Sequence, residues 1–296
     1  MNDHPSPTGR SSCRTVVLGA AAAVLTTICA LVAISVDAGS RADPTGVAAW
    51  PTSEPVPTTP AGPAPTVDVT TLPWAVHDAV IPGLLASGDG PVASTGRLAS
   101  DVVVTGADRA TAVARLPAVD VTGEPTVVAV VRHAGDKALV LTPARQRLPS
   151  EAGDGAPAQT AGWIDRAALR DEEPVRANVT VSVSRQVMTV LDGSDERTFE
   201  VGVGAPDTPT PVGVTGYLQA RYLDPAQDQT RLRIQLTSLH ATTSDEPYGG
   251  SDGGLIGLHH APVTSGPVSH GCVRLPAEAL EAVDRLPLGT PVTMEG

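Results

Sequence analysis

Short apolar runs that alternate residue by residue, closed off by glycine and proline, set the strongest limit on what this chain can fold into. Val179-Thr180-Val181-Ser182-Val183 alternates with period two, and Val187-Met188-Thr189-Val190-Leu191 resumes after Ser184-Arg185-Gln186. Period two sends successive side chains to opposite faces of a pleated strand, so these runs predict strands. Asp192-Gly193 then supplies a turn and 198–204 returns, which predicts a hairpin or meander. Pro206, Pro209 and Pro211 predict a loop closed by Gly213, and 231–238 predicts a further strand. Upstream, 101–105, 126–132 and 138–142 are runs of the same kind, followed by Gly162-Trp163-Ile164. Helical spacing shows in 276–286, with Leu280 and Val283 inward and Glu278, Glu281 and Asp284 outward. The expected fold is mainly β, with a small β-rich segment at 67–175 and a second at 176–296.

Aromatic residues are 2% of the chain, so each core has to be built from Val, Leu, Ile and Ala. A net charge of −12 lacks the basic footprint that nucleic acid requires, so no nucleic-acid partner is expected. Ahead of the β-rich segments, Arg10 and Arg14 precede an uncharged apolar stretch at 15–36, about long enough to span a bilayer. Positive charge before it and Asp37 and Asp43 after it orient the rest of the chain outward. The reading is a cytoplasmic N-terminus at 1–14, then a single-pass transmembrane anchor at 15–36 with an extracytoplasmic bulk. A cleaved signal peptide and a secreted product are the alternative. Residues 37–66, rich in Pro, Thr, Ala and Ser, predict an extended spacer.

Cys13 lies before the apolar stretch and Cys29 inside it, which leaves Cys272 as the one thiol of the exported part. It therefore has no partner for an intrachain disulfide, and a lone thiol outside the cell is buried or reactive. Its neighbours decide between the two. Leu255-Ile256-Gly257-Leu258-His259-His260 and Ser269-His270-Gly271-Cys272-Val273-Arg274 bring three of the seven histidines close to it in sequence. A thiol becomes a useful nucleophile when an imidazole takes its proton or steadies the thiolate. Gly271 lets the backbone approach a substrate carbonyl, and its amide or that of Cys272 can donate to an oxyanion. Arg274 adds a charge suited to a carboxylate or to the thiolate. These residues describe a Cys-His acyl-transfer site. Zinc ligation by His259, His260, His270 and Cys272 is the rival, but the spacing fits no common structural zinc pattern, and no metal or cofactor is expected.

Ser-His-Gly-Cys-Val-Arg preceded by Ile-Gly-Leu-His resembles the signature of L,D-transpeptidases of the YkuD type. The opening hairpin, Gly202-Val203-Gly204, Thr208-Pro209-Thr210-Pro211-Val212-Gly213 and Tyr248-Gly249-Gly250 fit the same family, so the resemblance covers roughly 178–295. It implies a β-sandwich catalytic domain that cross-links peptidoglycan stem peptides, with carbapenem-type β-lactams as inhibitors. It further implies that Cys272 is the nucleophile and His259 the base. His270 would belong to the pocket wall, and Gly271 with Cys272 would form the oxyanion hole. Arg274, Ser269, Tyr248 and His260 would bind substrate. The resemblance leaves open L,D-carboxypeptidase activity and attachment of a protein to peptidoglycan. His260 stands where the family usually has a small residue, so it is the alternative base. Ala161-Gly162-Trp163-Ile164-Asp165 resembles the terminal strand of bacterial SH3-like modules, which implies an SH3-like fold for 67–175.

Overall fold

The computed structural model describes residues 68–296, apart from 89, 153–154, 225–231 and 251. The expected anchor at 15–36 and spacer at 37–66, with Cys13 and Cys29, lie outside the described residues. No helix among the described residues is long and apolar enough to cross a membrane.

Strands dominate, in two sheets that follow one another along the chain. The first sheet takes β1 (Leu85–Ser87), β2 (Ser94–Leu98), β3 (Val102–Thr105), β4 (Ala112–Leu116), β5 (Val127–Ala134), β6 (Lys137–Thr142), β7 (Gln159–Asp165) and β8 (Leu169–Pro174). A short α-helix, α1 (Pro149–Ala152), lies between β6 and β7, and a 3-10 turn at Arg166–Ala168 lies between β7 and β8. Their order is β4-β3-β7-β6-β5-β2-β8, with β1 also pairing β7. Ala161–Asp165 therefore sits in β7, beside β3, β6 and β1, with β8 following it in the chain. The strand that follows, Leu169-Arg170-Asp171-Glu172-Glu173-Pro174, shows no apolar alternation because it runs along the exposed edge beside β2.

The second set is β9 (Ala177–Ser182), β10 (Val187–Asp192), β11 (Asp195–Glu200), β12 (Val203–Gly204), β13 (Val214–Tyr222), β14 (Ile234–His240), β15 (Leu255–His260), β16 (Pro267–Ser269), β17 (Val273–Leu275) and β18 (Pro291–Glu295). Eight of them run β11-β10-β9-β18-β13-β14-β15-β17, while β12 and β16 pair separately. The predicted meander is β9-β10-β11, turned by Gly193 at φ +60°, a conformation that glycine adopts without Cβ strain. The predicted helix is α2 (Ala277–Asp284), with Leu280 and Val283 fully buried. β13 pairs β18 through 214–217 and β14 through 218–222, so one strand carries the sheet around a bend. Gly216 sits at this bend, where a Cβ would lie 2.6 Å from the Leu239 side chain.

The described residues belong to one compact unit. Trp163, Leu141 and Ala161 of the first sheet form one buried cluster with Tyr217 of β13. Polar pairings stitch the same seam. Ser238 Oγ donates to Gln159 Oε1 at 2.5 Å, the His240 amide to the Ala158 carbonyl at 2.9 Å, and His240 Nε2 contacts the His77 carbonyl at 2.9 Å. Burial holds His240 neutral, its pKa lowered to about 3.

Candidate active site

Sheet pairing assembles the two parts of the cysteine motif. β15 and β17 run parallel, with His259 opposite Arg274 and Leu258 opposite Val273. Cys272 stands one residue before β17, so the thiol comes to lie beside the Gly257–His259 end of its neighbour. The Gly257 amide donates to Cys272 Sγ at 3.3 Å, and the thiol faces the Leu255 carbonyl at 3.9 Å. An ideal Cβ on Gly257 would stand 3.9 Å from the sulfur, so the glycine keeps the space in front of it open.

The turn that presents the thiol is held from within. Ser269 Oγ donates to the Cys272 carbonyl at 2.5 Å and accepts from the Gly271 amide at 3.2 Å. Gly271 adopts φ +118°, closed to side chains with a Cβ, and such an atom would also stand 2.9 Å from Ile256. The proline-rich loop supports this turn from outside. Thr210 Oγ1 donates to the Gly271 carbonyl at 2.7 Å and accepts from the Gly204 amide at 2.9 Å. Thr208 Oγ1 donates to the Ser269 carbonyl at 3.3 Å. Thr208-Pro209-Thr210-Pro211 is thus a buttress for the cysteine turn, a role that its sequence did not announce. The Ser269 hydroxyl and the Gly271 amide are spent on that same turn.

The remaining predicted residues separate into two groups. Cys272, His259, Arg274, Tyr248 and Ser269 line one cavity of about 750 Å³. His259 Nδ1 lies 3.0 Å from the carbonyl of His260. A carbonyl only accepts, so Nδ1 carries the proton and Nε2 is the basic nitrogen. His260 contributes that carbonyl and is not among the cavity-lining residues. His270 is exposed and also does not line the cavity; its ring meets the edge of Tyr248 at 5.4 Å between centroids. Tyr248 donates its hydroxyl to Cys272 Sγ. Arg274 Nε is buried with no hydrogen-bond partner among the described residues, on a guanidinium at the cavity wall. No three His, Cys, Asp or Glu side chains among the described residues converge as a metal site.

Burial sets the protonation of the pair. It raises the Cys272 thiol above its ordinary range, against the lowering pull of the Tyr248 hydroxyl, the Gly257 amide and Arg274. Burial likewise lowers His259, helped by the nearby charge of Arg274. Both shifts favour a neutral thiol beside a neutral imidazole.

The cavity has a wall that no motif foreshadowed. His77, Val121 and Thr122 come from loops of the first sheet and line it with Cys272. Val121 is 55% exposed on a turn fixed by Asp120, whose Oδ1 accepts from Thr122 N at 2.8 Å and Glu124 N at 3.1 Å. An exposed valine in a loop carries no sequence signal of function.

Residues 176–294 match the model of the YkuD family, the L,D-transpeptidase catalytic domain. No curated protein matches the chain in sequence. Among solved structures, an L,D-transpeptidase from Mycobacterium smegmatis aligns at 16% identity over 54% of this chain and 91% of that one, with a TM-score of 0.31. L,D-transpeptidase 1 of Mycobacterium tuberculosis aligns at 17% identity over 46% of this chain and 78% of its own, with a TM-score of 0.28. An Enterococcus faecium L,D-transpeptidase variant aligns at 20% identity over 40% of this chain and 49% of its own, with a TM-score of 0.30.

Proposed function

We propose that the chain, whose residues 176–294 match the model of the YkuD-type L,D-transpeptidase catalytic domain, is a cysteine acyltransferase that joins peptidoglycan stem peptides. The observation that carries this reading is the proton arrangement at the cavity. Cys272 and His259 share the cavity, with the Nδ1 proton of His259 given to the His260 carbonyl and Nε2 left basic.

In the first half-reaction Cys272 Sγ attacks the carbonyl of the third residue of a tetrapeptide stem while His259 Nε2 takes the thiol proton. Both groups start neutral, so charge develops as the sulfur closes on the carbonyl. The Cys272 amide is the donor of this turn best placed for the oxyanion, since the Gly271 amide is held by Ser269 Oγ. Collapse breaks the amide bond, His259 returns the proton to the leaving amine, and the terminal D-alanine departs. A thioester remains on Cys272. In the second half-reaction the amine of a neighbouring stem attacks the thioester, His259 accepts its proton, and the thiol is released and reprotonated. The thioester conserves the energy of the broken amide, so no nucleotide is consumed. Arg274, which lines the cavity, is suited to a stem carboxylate.

The test is incubation of the protein with a disaccharide tetrapeptide, followed by mass spectrometry of products and protein. A cross-linked dimer with loss of D-alanine is expected, as is a carbapenem adduct on Cys272 that Cys272→Ser cannot form. D-alanine release without dimer would replace transferase by L,D-carboxypeptidase. Cross-linking by Cys272→Ser would end the proposal. Placement follows from the apolar stretch at 15–36, read as an anchor that holds the catalytic unit outside the cell membrane on the spacer 37–66. A C-terminal reporter active only outside the cytoplasm is the expected result.

A further inference from the structure

The loop between β14 and β15 carries Tyr248, whose hydroxyl meets the nucleophile, and the first sheet holds that loop. Arg145, three residues beyond the Thr142 end of β6, is 1% exposed. Its own backbone is fixed, with its amide donating to Ala79 O at 2.8 Å and its carbonyl accepting from Ile81 N at 2.8 Å. From there its guanidinium reaches both ends of the Tyr248 loop. Nε donates to the Gly253 carbonyl at 2.6 Å and Nη2 to the Asp245 carbonyl at 3.0 Å. Two contacts reinforce the grip. The Ser150 amide and hydroxyl donate to the two oxygens of Asp245 at 2.9 and 2.6 Å. Gly253 packs so closely on His77 that a Cβ would stand 2.4 Å from its carbonyl oxygen. Gly254, at φ +64°, leaves room for the guanidinium, since a Cβ there would lie 2.1 Å from Nη2.

Asp245, Glu246 and Asp252 lie near enough to favour the charge, but no carboxylate among the described residues pairs with it directly, and a buried guanidinium without such a pair is an expensive way to fill space. What an arginine does that a hydrocarbon or a lysine cannot is hold two carbonyls at once in a fixed fork. The two carbonyls it holds stand eight positions apart, with Tyr248 between them.

We propose that Arg145 is a positioning residue of the first sheet that sets the Tyr248 hydroxyl on Cys272 by clamping the two ends of its loop. The first sheet thereby tunes the nucleophile of the second. This inference rests on the reading of Cys272 as nucleophile, and its readout is the thiol itself, independent of which acceptor the enzyme uses.

The experiment follows iodoacetamide alkylation of Cys272 against pH in the full chain, scored on the Cys272 peptide so that Cys13 and Cys29 do not contribute. Arg145→Lys keeps the charge and loses the fork. It is expected to move the profile to higher pH, with alkylation at pH 7 slowed by roughly threefold, as if the Tyr248 hydrogen bond were gone. In a Tyr248→Phe background the same substitution should add almost nothing, because the group it positions is absent. Ser150→Ala, at an exposed contact, should shift the profile the same way by less, and it serves if Arg145→Lys does not fold. An unshifted profile in folded Arg145→Lys overturns the proposal. So does a shift that adds in full to that of Tyr248→Phe, or an unshifted Ser150→Ala where Arg145→Lys does not fold.

Discussion

Replacing Tyr248 by phenylalanine removes one hydroxyl from the sulfur of Cys272 and leaves the ring against His270. Burial of the thiol is almost unchanged, so the substitution isolates the hydrogen bond from the desolvation that raises the thiol. A hydrogen bond to a charged partner contributes about 1.5–3 kcal/mol. Tyr248 keeps 42% of its surface in water, so solvent screening selects the lower end, about 1.5 kcal/mol. The thiol pKa moves upward, because the tyrosine hydroxyl steadies the thiolate and its loss favours the thiol. At pH 7 the thiolate fraction then falls about tenfold. The more basic sulfur is intrinsically more nucleophilic by roughly threefold, so alkylation slows by only about three- to fourfold. Above both pKa values the order reverses and the variant reacts faster than wild type. Stopped-time iodoacetamide labelling of Cys272 across pH, read by mass spectrometry, measures both arms. Profiles that superimpose, or a variant profile displaced to lower pH, would refute the claim that this hydroxyl stabilises the thiolate.

Two further outcomes follow from the same site and its seam. His259→Ala should slow carbapenem acylation on the order of 10²–10⁴-fold, and His260→Ala far less, since any side chain there still offers the carbonyl that His259 Nδ1 uses; a dead His260→Ala beside an active His259→Ala would reassign the base. His240 is neutral in the fold with its pKa lowered from 6.5 to about 3, while the unfolded chain takes up a proton below its ordinary pKa. Stability is therefore lost as pH falls from 6.5 toward 3, with a slope approaching about 1.4 kcal/mol per pH unit. The carboxylates lowered by their hydrogen bonds, Asp245 and Asp284 among them, act below the ordinary carboxylate range, so between about pH 6.5 and 4.5 the slope comes from His240 with His259, which burial lowers in the same sense, against Glu246, which burial raises. His240→Gln should flatten that slope, and an equal slope in both proteins would count against it.

The parts of the fold that were legible in sequence are those with one face in water. β9 and β10 alternate because their outer residues meet solvent, and α2 shows its period for the same reason, with Glu278 and Glu281 exposed. β13, the strand that bends the second sheet, went unread: its residues are buried on both faces from Val214 to Leu218, which removes the alternation. β18 was missed as well, being short, covered on both sides and paired in parallel with β9 from the far end of the chain. The site divided along a similar line. Cys272, His259 and Arg274 announced themselves because a thiol, an imidazole and a guanidinium each bring chemistry. Thr210 and Gly204 act through backbone geometry, and Arg145 and Val121 act across a seam that local sequence does not encode.

The cavity wall supplied by loops of the first sheet has a consequence for inheritance. Val121, Thr122 and His77 stand outside the segment 176–294 that carries the family resemblance. Two chains that agree throughout that segment can therefore differ in the space above the sulfur, and, on the proposed function, their preferences among acyl donors can drift apart with no change in that segment. Exchanging the first sheet between such chains should carry the preference with it.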